Sequence, residues 1–572
     1  MDCRQSYQIR ATANQFFLFL YPGFGVPKRL VRSMTLAWEI WVAKLFFKIR
    51  SAFGIGLAVA IELGFAHGAS AFPAKAASLG KLQGSWFVES TAPQGMVVEV
   101  VTFSRRGQKI DGTWSYLPPW IAGTISHVVV KKGLLSFTVS LDGDTSFWEG
   151  EFHGGDTFSM TWIGQGGVLV HTRTFRRASE EALAEARSKA PKNLVIHKLP
   201  LPTLQKLPSN GLVRTPPMGW NSWNFFKEAV DDKSIREVAD ALVKSGLRDA
   251  GYTIVTVDDG WQGERDAFGI IHANQKFPDM HALGDYLHSR GFKFGIYTSP
   301  GPMTCGGYIG SHGYEAEDVR TFAKWGVDFL KYDWCFADAV YKTRTEMQAV
   351  YQKMGQVLQA SGRPIIYSVC QYGLFDVGSW GRDVGGNLWR TGGDSVEGDR
   401  WTSMSARFTV DGNSRDNGPG GWNDPDMMLV GISGMSLDEY RTHMTLWSML
   451  AAPLIIGNDV RSMSDEVKNI LANKDVLEVD QDILGSQGKM VKREGTSEIW
   501  VKPLSNGVMA IALFNRGELP VTMRVLWSDL GIGDTQQIRD LWRQLDLGTQ
   551  REGISLSLPR HGAVLLKAIA GH

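Results

Sequence analysis

Apolar and polar residues follow different rhythms in successive parts of the chain. From 75 to 176 they alternate with frequent glycine, as in Gly84-Ser85-Trp86-Phe87-Val88, Val97–Phe103, Leu134–Leu141, Phe147–Phe152 and Thr157–Trp162. A period of two marks half-buried strands, so residues 72–178 predict a small all-β sandwich or barrel. Ser179–Ala190 is rich in Glu, Ala, Arg and Lys and predicts a short helix. Pro191–Pro217 holds six prolines and little periodicity, so 179–213 read as a helix and a linker. From 214 to 485 short apolar runs alternate with amphipathic stretches. Strands are expected at Met218–Trp223, Tyr252–Val257, Lys293–Thr298, Val327–Tyr332, Pro364–Val369, Asn387–Arg390, Gly421–Asn423 and Leu454–Ile456. Helices such as Asp232–Asp249, Tyr314–Trp325 and Thr343–Ser361 fall between them. Eight strand–helix units in about 270 residues fit an α/β fold, the (β/α)8 TIM barrel. An open doubly wound sheet is the rival, but no glycine-rich phosphate loop follows a strand. Over 486–572 the alternation returns and predicts a C-terminal antiparallel β-sandwich domain.

Composition changes little in this picture. At 572 residues the chain should hold two to four domains. A hydrophobic content of 43%, a charged content of 21% and a net charge of +1 describe an ordinary soluble globular protein. The charge balance gives no electrostatic case for nucleic acid. The N-terminus reads as an address. Lys44, Lys48 and Arg50 precede Ser51–Gly64, which is apolar apart from Glu62, and Ala69-Ser70-Ala71 is a small-x-small cleavage site. The apolar run is too short to favour a membrane anchor. Residues 1–71 are therefore expected to be a leader. The mature protein would be exported, periplasmic or extracellular, with no membrane attachment. Export permits disulfides. Cys3 leaves with the leader, Cys305 and Cys335 make a candidate pair, and Cys370 is left over.

The chemistry concentrates where the expected strands end. Phe329-Leu330-Lys331-Tyr332-Asp333-Trp334-Cys335 carries a lysine and an aspartate two positions apart, which places both on one side of a strand. An ammonium beside a carboxylate keeps it ionised, as a carboxylate nucleophile requires. A plain salt bridge at a strand end fits as well. The other strand ends add weight to the catalytic reading: Trp220 and Asn221, Asp258-Asp259-Gly260-Trp261, Tyr297, Cys370 and Tyr372, Arg390 and Asp394, and Trp422-Asn423-Asp424 with Asp426. Barrel enzymes gather their catalytic groups at these ends, so the set together favours an active site. Paired carboxyls suggest glycoside hydrolysis. No Ser-His-Asp order stands out and no GxxxxGK[ST] loop is present. His272, His281, His288, His312 and His443 lack metal-ligand spacing and read as surface or packing residues. Cys370 has no histidine placed to activate it and reads as packing or lining.

Five ordered motifs also resemble the α-galactosidases of glycoside hydrolase family 27. They are Thr215–Trp223, Val257–Trp261, Lys331–Cys335, Arg390–Asp394 and Gly420–Met427, with further similarity at Ala452–Gly457 and into the C-terminal domain. The resemblance covers about 212–572 and leaves 72–200 outside. It implies Asp333 as nucleophile and Asp394 as acid/base. It implies that Asp258 and Asp259 hold the 4-OH and 6-OH of galactose, that Trp220 walls the sugar pocket, and that Lys331 and Arg390 bond the sugar. Tyr297 belongs to the same set of site residues. The resemblance further implies a Cys305–Cys335 disulfide beside the site, with Cys370 and Tyr372 reading the sugar 2-position. It implies no metal or organic cofactor. On this reading Asp333 should have a low pKa beside Lys331, and Asp394 a raised one. The expected partner is an α-galactoside oligo- or polysaccharide. Specificity for N-acetylgalactosamine or β-L-arabinopyranoside is the alternative within the family. Bulky Tyr372 and the intact Asp258-Asp259 pair speak for galactose. Asn224-Phe225-Phe226 stands where many members carry paired cysteines. In the N-terminal domain, Trp86, Trp114, Trp120, Trp148 and Trp162 form either a barrel core or a sugar-binding face, core being the default. A sugar-binding role for that domain is the second functional reading. Oligomeric state has no signature in the chain.

Overall fold

A computed structural model describes residues 82–571, apart from 93–94, 108, 118–120, 132–133, 142–143, 155, 164–168, 190–197, 339, 396–399, 409–415 and 433. The expected leader, Cys3 and Trp120 lie outside the described residues, as does the side chain of Trp162. Among the described residues no helix is long and apolar enough to cross a membrane.

The first alternating region forms strands β1 Gly84–Ala92, β2 Gly95–Arg106, β3 Lys109–Leu117, β4 Ile121–Lys131, β5 Leu134–Leu141, β6 Asp144–Gly154, β7 Thr157–Ile163 and β8 Leu169–Arg177. Each pairs antiparallel with the next, and β8 returns to β1, which closes a barrel and removes its edges. The alternate residues that face inward fill it. Trp86, Phe103, Phe137, Phe158 and Met160 are buried together, with Trp86 and Phe158 edge-to-face at 4.9 Å. Trp86, Trp114 and Trp148 belong to this core rather than to an exposed face. The helix Glu180–Lys189 follows. Residues 198–214 run along the next domain without helix or strand. Gln352 ties them at both amide atoms, to Gln205 N (2.7 Å) and Thr203 O (2.8 Å), and Asn210 and Asn387 exchange side-chain hydrogen bonds of 2.9 Å.

The central domain holds eight parallel strands: β9 Met218–Asn221, β10 Ile254–Val257, β13 Lys293–Thr298, β14 Val327–Tyr332, β15 Ile366–Val369, β16 Leu388–Arg390, β17 Trp422–Asp424 and β18 Leu454–Ile456. A short hairpin, β11 Gln262–Arg265 and β12 Ile271–Ala273, follows β10. The sheet order is β17-β16-β15-β14-β13-β10-β9-β18, and a parallel bridge from Met428 to Ile456 joins its two ends. Strand parity layers the interior. Ile254, Phe329, Ile366, Leu388 and Trp422 make one apolar layer, plugged by Leu212 and Val213 from the preceding segment. Two residues later on the same strands stand Thr256, Lys331, Ser368, Arg390 and Asp424, which make a polar layer nearer the C-terminal ends. Helices cap well where the sequence supplies the residues. Thr343 and Glu346 form a capping box for Arg344–Ala360, and Ser436 and Glu439 one for Leu437–Leu450.

The last domain has a six-stranded sheet of β19 Lys489–Glu494, β20 Ser497–Pro503, β21 Met509–Asn515, β26 Ala563–Ala570, β23 Thr535–Asp540 and β24 Leu545–Arg551, in that order. The pair β22 Val521–Leu526 and β25 Gly553–Leu558 packs over it through Met523, Val525, Ile511 and Leu513, which makes a sandwich.

Candidate active site

A cavity of about 400 Å³ opens at the C-terminal ends of the parallel strands. Asp258, Asp259, Tyr297, Lys331, Asp333, Tyr372, Arg390 and Asp394 line it, together with Cys305 and Cys335. Each of these was expected at the site. Cys370 does not line this cavity but a second, small one inside the barrel, with Arg390 Nη1 3.6 Å from its sulfur. Burial pushes its thiol well up, so it is not a thiolate nucleophile.

Trp220 does not line the cavity. It is fully buried, and its indole Nε1 donates to the carbonyl of Asn458 at 2.9 Å. Parity explains the correction. Asn221 points into the barrel, where its Nδ2 donates to Asp258 Oδ2 at 2.6 Å, so its neighbour Trp220 must face the other way. Trp223 and Trp334 line the cavity instead.

The floor is a network of buried charges. Lys331 Nζ donates to Asp258 Oδ2 at 2.9 Å. The expected Lys331–Asp333 pair is thus replaced by a Lys331–Asp258 pair, since residue 331 is the last inward position of β14 and Asp333 lies beyond the strand end. Asp258 Oδ1 also accepts from the Asp259 amide at 2.9 Å. Asp259 Oδ2 accepts from Gly306 N at 2.6 Å. A Cβ at 306 would stand 2.9 Å from that oxygen, so glycine lets the amide approach. Burial pushes Asp259 up to about 7, against the lowering effect of the Gly306 amide and the Thr304 side chain. Burial draws Lys331 down, but the carboxylates of Asp258 and Asp333 more than offset it and hold the ammonium above its usual range.

Asp333 sits just past β14. Its Oδ1 accepts from Tyr372 Oη at 2.6 Å and from Trp334 N at 2.8 Å. Tyr351 Oη holds its carbonyl at 2.9 Å. Burial pushes the Asp333 carboxyl above the ordinary range, while Lys331 and Tyr372 draw it back. The expected low value is corrected here: desolvation outweighs a lysine that already serves Asp258. Asp394 is the more open acid, its side chain 31% exposed. Arg390 positions it. Nη2 donates to Gly393 O at 2.7 Å and to Asp394 Oδ1 at 3.0 Å, and Nη1 meets Asp426 Oδ1 at 2.8 Å. Asp426 also accepts from Ser395 N at 2.6 Å, which clamps the residue after Asp394. Asp426 has φ 114 and Tyr372 φ 61, both in the left-handed region that non-glycine residues avoid. Such strain persists where surrounding structure over-determines it, and it clusters at functional sites.

The Cys305–Cys335 disulfide forms part of the rim, near Tyr297 Oη (3.2 Å from Cys305 Sγ) and Tyr372 Oη (3.6 Å from both sulfurs). Cys305, Cys335 and Asp333 lie close enough to hold an ion, but both sulfurs are spent in the disulfide and supply no thiolate ligand. His272, His281, His288, His312 and His443 are not among the residues lining the cavity. Sequence reasoning did not place Arg173, Lys227, Phe336, Asp338 and Arg400 at the site, although all line it. They lie in loops, at the starts of the short helices Lys227–Ala229 and Arg400–Ser405, or in another domain, where no strand-end rule points to them.

Comparison with known proteins bears on this geometry. A family model described as alpha galactosidase A matches residues 215–482, and one described as the alpha galactosidase C-terminal beta sandwich domain matches 494–568. An α-galactosidase of Oryza sativa is 45% identical over 361 residues, covering 62% of this chain and 84% of its own. The crystal structure of α-galactosidase I from Mortierella vinacea superposes with a TM-score of 0.60 at 36% identity, covering 63% of this chain and 98% of its own. A solved protein from Bacteroides fragilis, 30% identical with a TM-score of 0.60, covers 85% of this chain and 92% of its own, so its likeness extends upstream of the barrel.

Proposed function

The chain belongs to the α-galactosidases of glycoside hydrolase family 27, and we propose that it releases terminal α-linked D-galactose from oligo- or polysaccharides with Asp333 as nucleophile and Asp394 as acid/base. The observation that carries the residue assignment is that Asp333 and Asp394 line one cavity whose floor is the Asp258–Asp259–Lys331 network. Both donors to Asp333 converge on Oδ1, which leaves Oδ2 as the attacking oxygen. Oδ2 bonds to the anomeric carbon as the bond to the leaving oxygen breaks, and Asp394 gives that oxygen its proton. Water then attacks the anomeric carbon, Asp394 takes the water's proton, and the bond to Asp333 breaks. Two inversions give net retention. The galactose 4-OH and 6-OH meet Asp258 and Asp259, and Arg390 lies beside the acid.

Tyr372 occupies the cavity with its hydroxyl committed to Asp333, which crowds the space an N-acetyl group would need. A panel of nitrophenyl α-galactoside, α-N-acetylgalactosaminide and β-L-arabinopyranoside tests the reading, with proton NMR to identify the first anomer released. The α-galactoside should be the best substrate, with α-galactose formed first. A faster arabinopyranoside, or β-galactose formed first, would overturn it. The leader-like segment 1–71 supports export, and N-terminal sequencing of the exported protein should begin near Phe72.

A further inference from the structure

The N-terminal barrel reaches the mouth of the catalytic cavity. Met303, fully buried, belongs to the core cluster of the β1–β8 barrel, and Phe336 packs against the same core. These two residues flank the rim disulfide: Met303 stands two positions before Cys305, and Phe336 directly follows Cys335. Phe336 keeps a left-handed backbone, φ 58, at this contact. The barrel also supplies a side chain to the cavity wall. Arg173 on β8 lines it, and its guanidinium is bound by Glu99 of β2, a carboxylate only 3% exposed. Glu99 in turn accepts from the indole of Trp114 on β3. Three strands of the N-terminal barrel thereby hold one cation in the wall of the cavity that Asp333 and Asp394 also line.

Exposure orders the cavity from floor to mouth. The side chain of Asp258 is 2% exposed and that of Arg390 5%, whereas Asp394 is 31% and Arg173 29% exposed. Galactose binds at the floor, so groups as open as the acid face what the acid releases. We propose that Arg173 forms a leaving-group subsite that donates hydrogen bonds to the hydroxyls of a neutral saccharide aglycone. The N-terminal barrel then sets which α-galactosides are cut fastest. This rests on the α-galactosidase reading above. A guanidinium suits the role: its planar fork of N–H donors serves a carboxylate and a sugar hydroxyl together.

The test compares the full-length protein with Arg173→Lys and with the double variant Glu99→Gln/Arg173→Met, which leaves no lone buried carboxylate. kcat/KM is measured on nitrophenyl α-galactoside, whose leaving group carries no sugar hydroxyls, and on an α-1,6-galactosyl trisaccharide. The loss on the trisaccharide should exceed that on the nitrophenyl substrate by about tenfold, mostly in KM, as expected for a lost charge-assisted hydrogen bond. The inhibition constant of free galactose, which reports the floor, should stay at the wild-type value. Equal losses on both substrates, or galactose binding weakened in parallel, would overturn the subsite. A wild-type protein that fails to cleave the nitrophenyl galactoside would instead remove the reading on which the proposal stands.

Discussion

Tyr372 donates a 2.6 Å hydrogen bond to Oδ1 of Asp333 from a left-handed backbone conformation, φ 61. The fold thus holds a strained residue so that a neutral donor can stabilise a buried carboxylate. Tyr372→Phe removes that donor and keeps the ring. A hydrogen bond to a charged group is worth about 1.5–3 kcal/mol, so kcat/KM should fall by about tenfold to a hundredfold. Tyr372 lowers the Asp333 pKa, so its loss must raise it. The acid limb of the kcat/KM profile should move to higher pH. An unmoved limb would mean that Asp333 is not the group titrating there.

Asp333→Asn should abolish turnover, because the amide cannot form the glycosyl ester. Asp394→Asn should cost about 10²–10⁴-fold on sugars with poor leaving groups and least on nitrophenyl substrates, which depart without a proton. Wild-type rates for Asp333→Asn, or equal losses for Asp394→Asn on both substrate classes, would reverse the assignments.

Lys331→Met should destabilise the protein by about 3–5 kcal/mol, because it strips the ammonium from a buried Asp258. Urea denaturation measures this. The double variant Lys331→Met/Asp258→Asn should recover part of the loss, since no unpaired charge then remains. No recovery would show that the pair does not act as a unit.

Asp259 and Asp424 are pushed up by burial to about 7 and about 6, from 3.8 in the unfolded chain. The folded protein therefore keeps protons that the unfolded chain has released. Their contribution to stability is full below about pH 4 and is lost as pH rises through 6 and 7. The thermal midpoint of unliganded Asp259→Asn should drop less between about pH 5 and pH 7.5 than that of the wild type. A larger drop would contradict the raised value.

The expected strands and the aspartates at their ends were legible because they depend on local pattern. Phe329-Leu330-Lys331-Tyr332 reads as a buried strand in any context, and its end is where a barrel places chemistry. The side on which Trp220 falls was legible too, in principle, from its adjacency to inward-facing Asn221. The partner of Lys331 was not. Asp258 follows β10 and Asp333 follows β14, with β13 between those strands, and the choice between them turns on where β14 stops. Arg173 lies 160 residues from Asp333 and in another domain, beyond any motif of the family.

The sequence by itself determined the order of domains, the rhythm of strands and helices, and which residue types stand at the strand ends. Those follow from side-chain periodicity and backbone preference, which act over a few residues. Tertiary structure alone decided which charges touch, how deeply each carboxylate is buried and which side chain from the N-terminal barrel reaches the mouth. Contact and desolvation depend on distances that only the packed chain defines, so Asp333 carries a raised pKa although a lysine stands two residues before it.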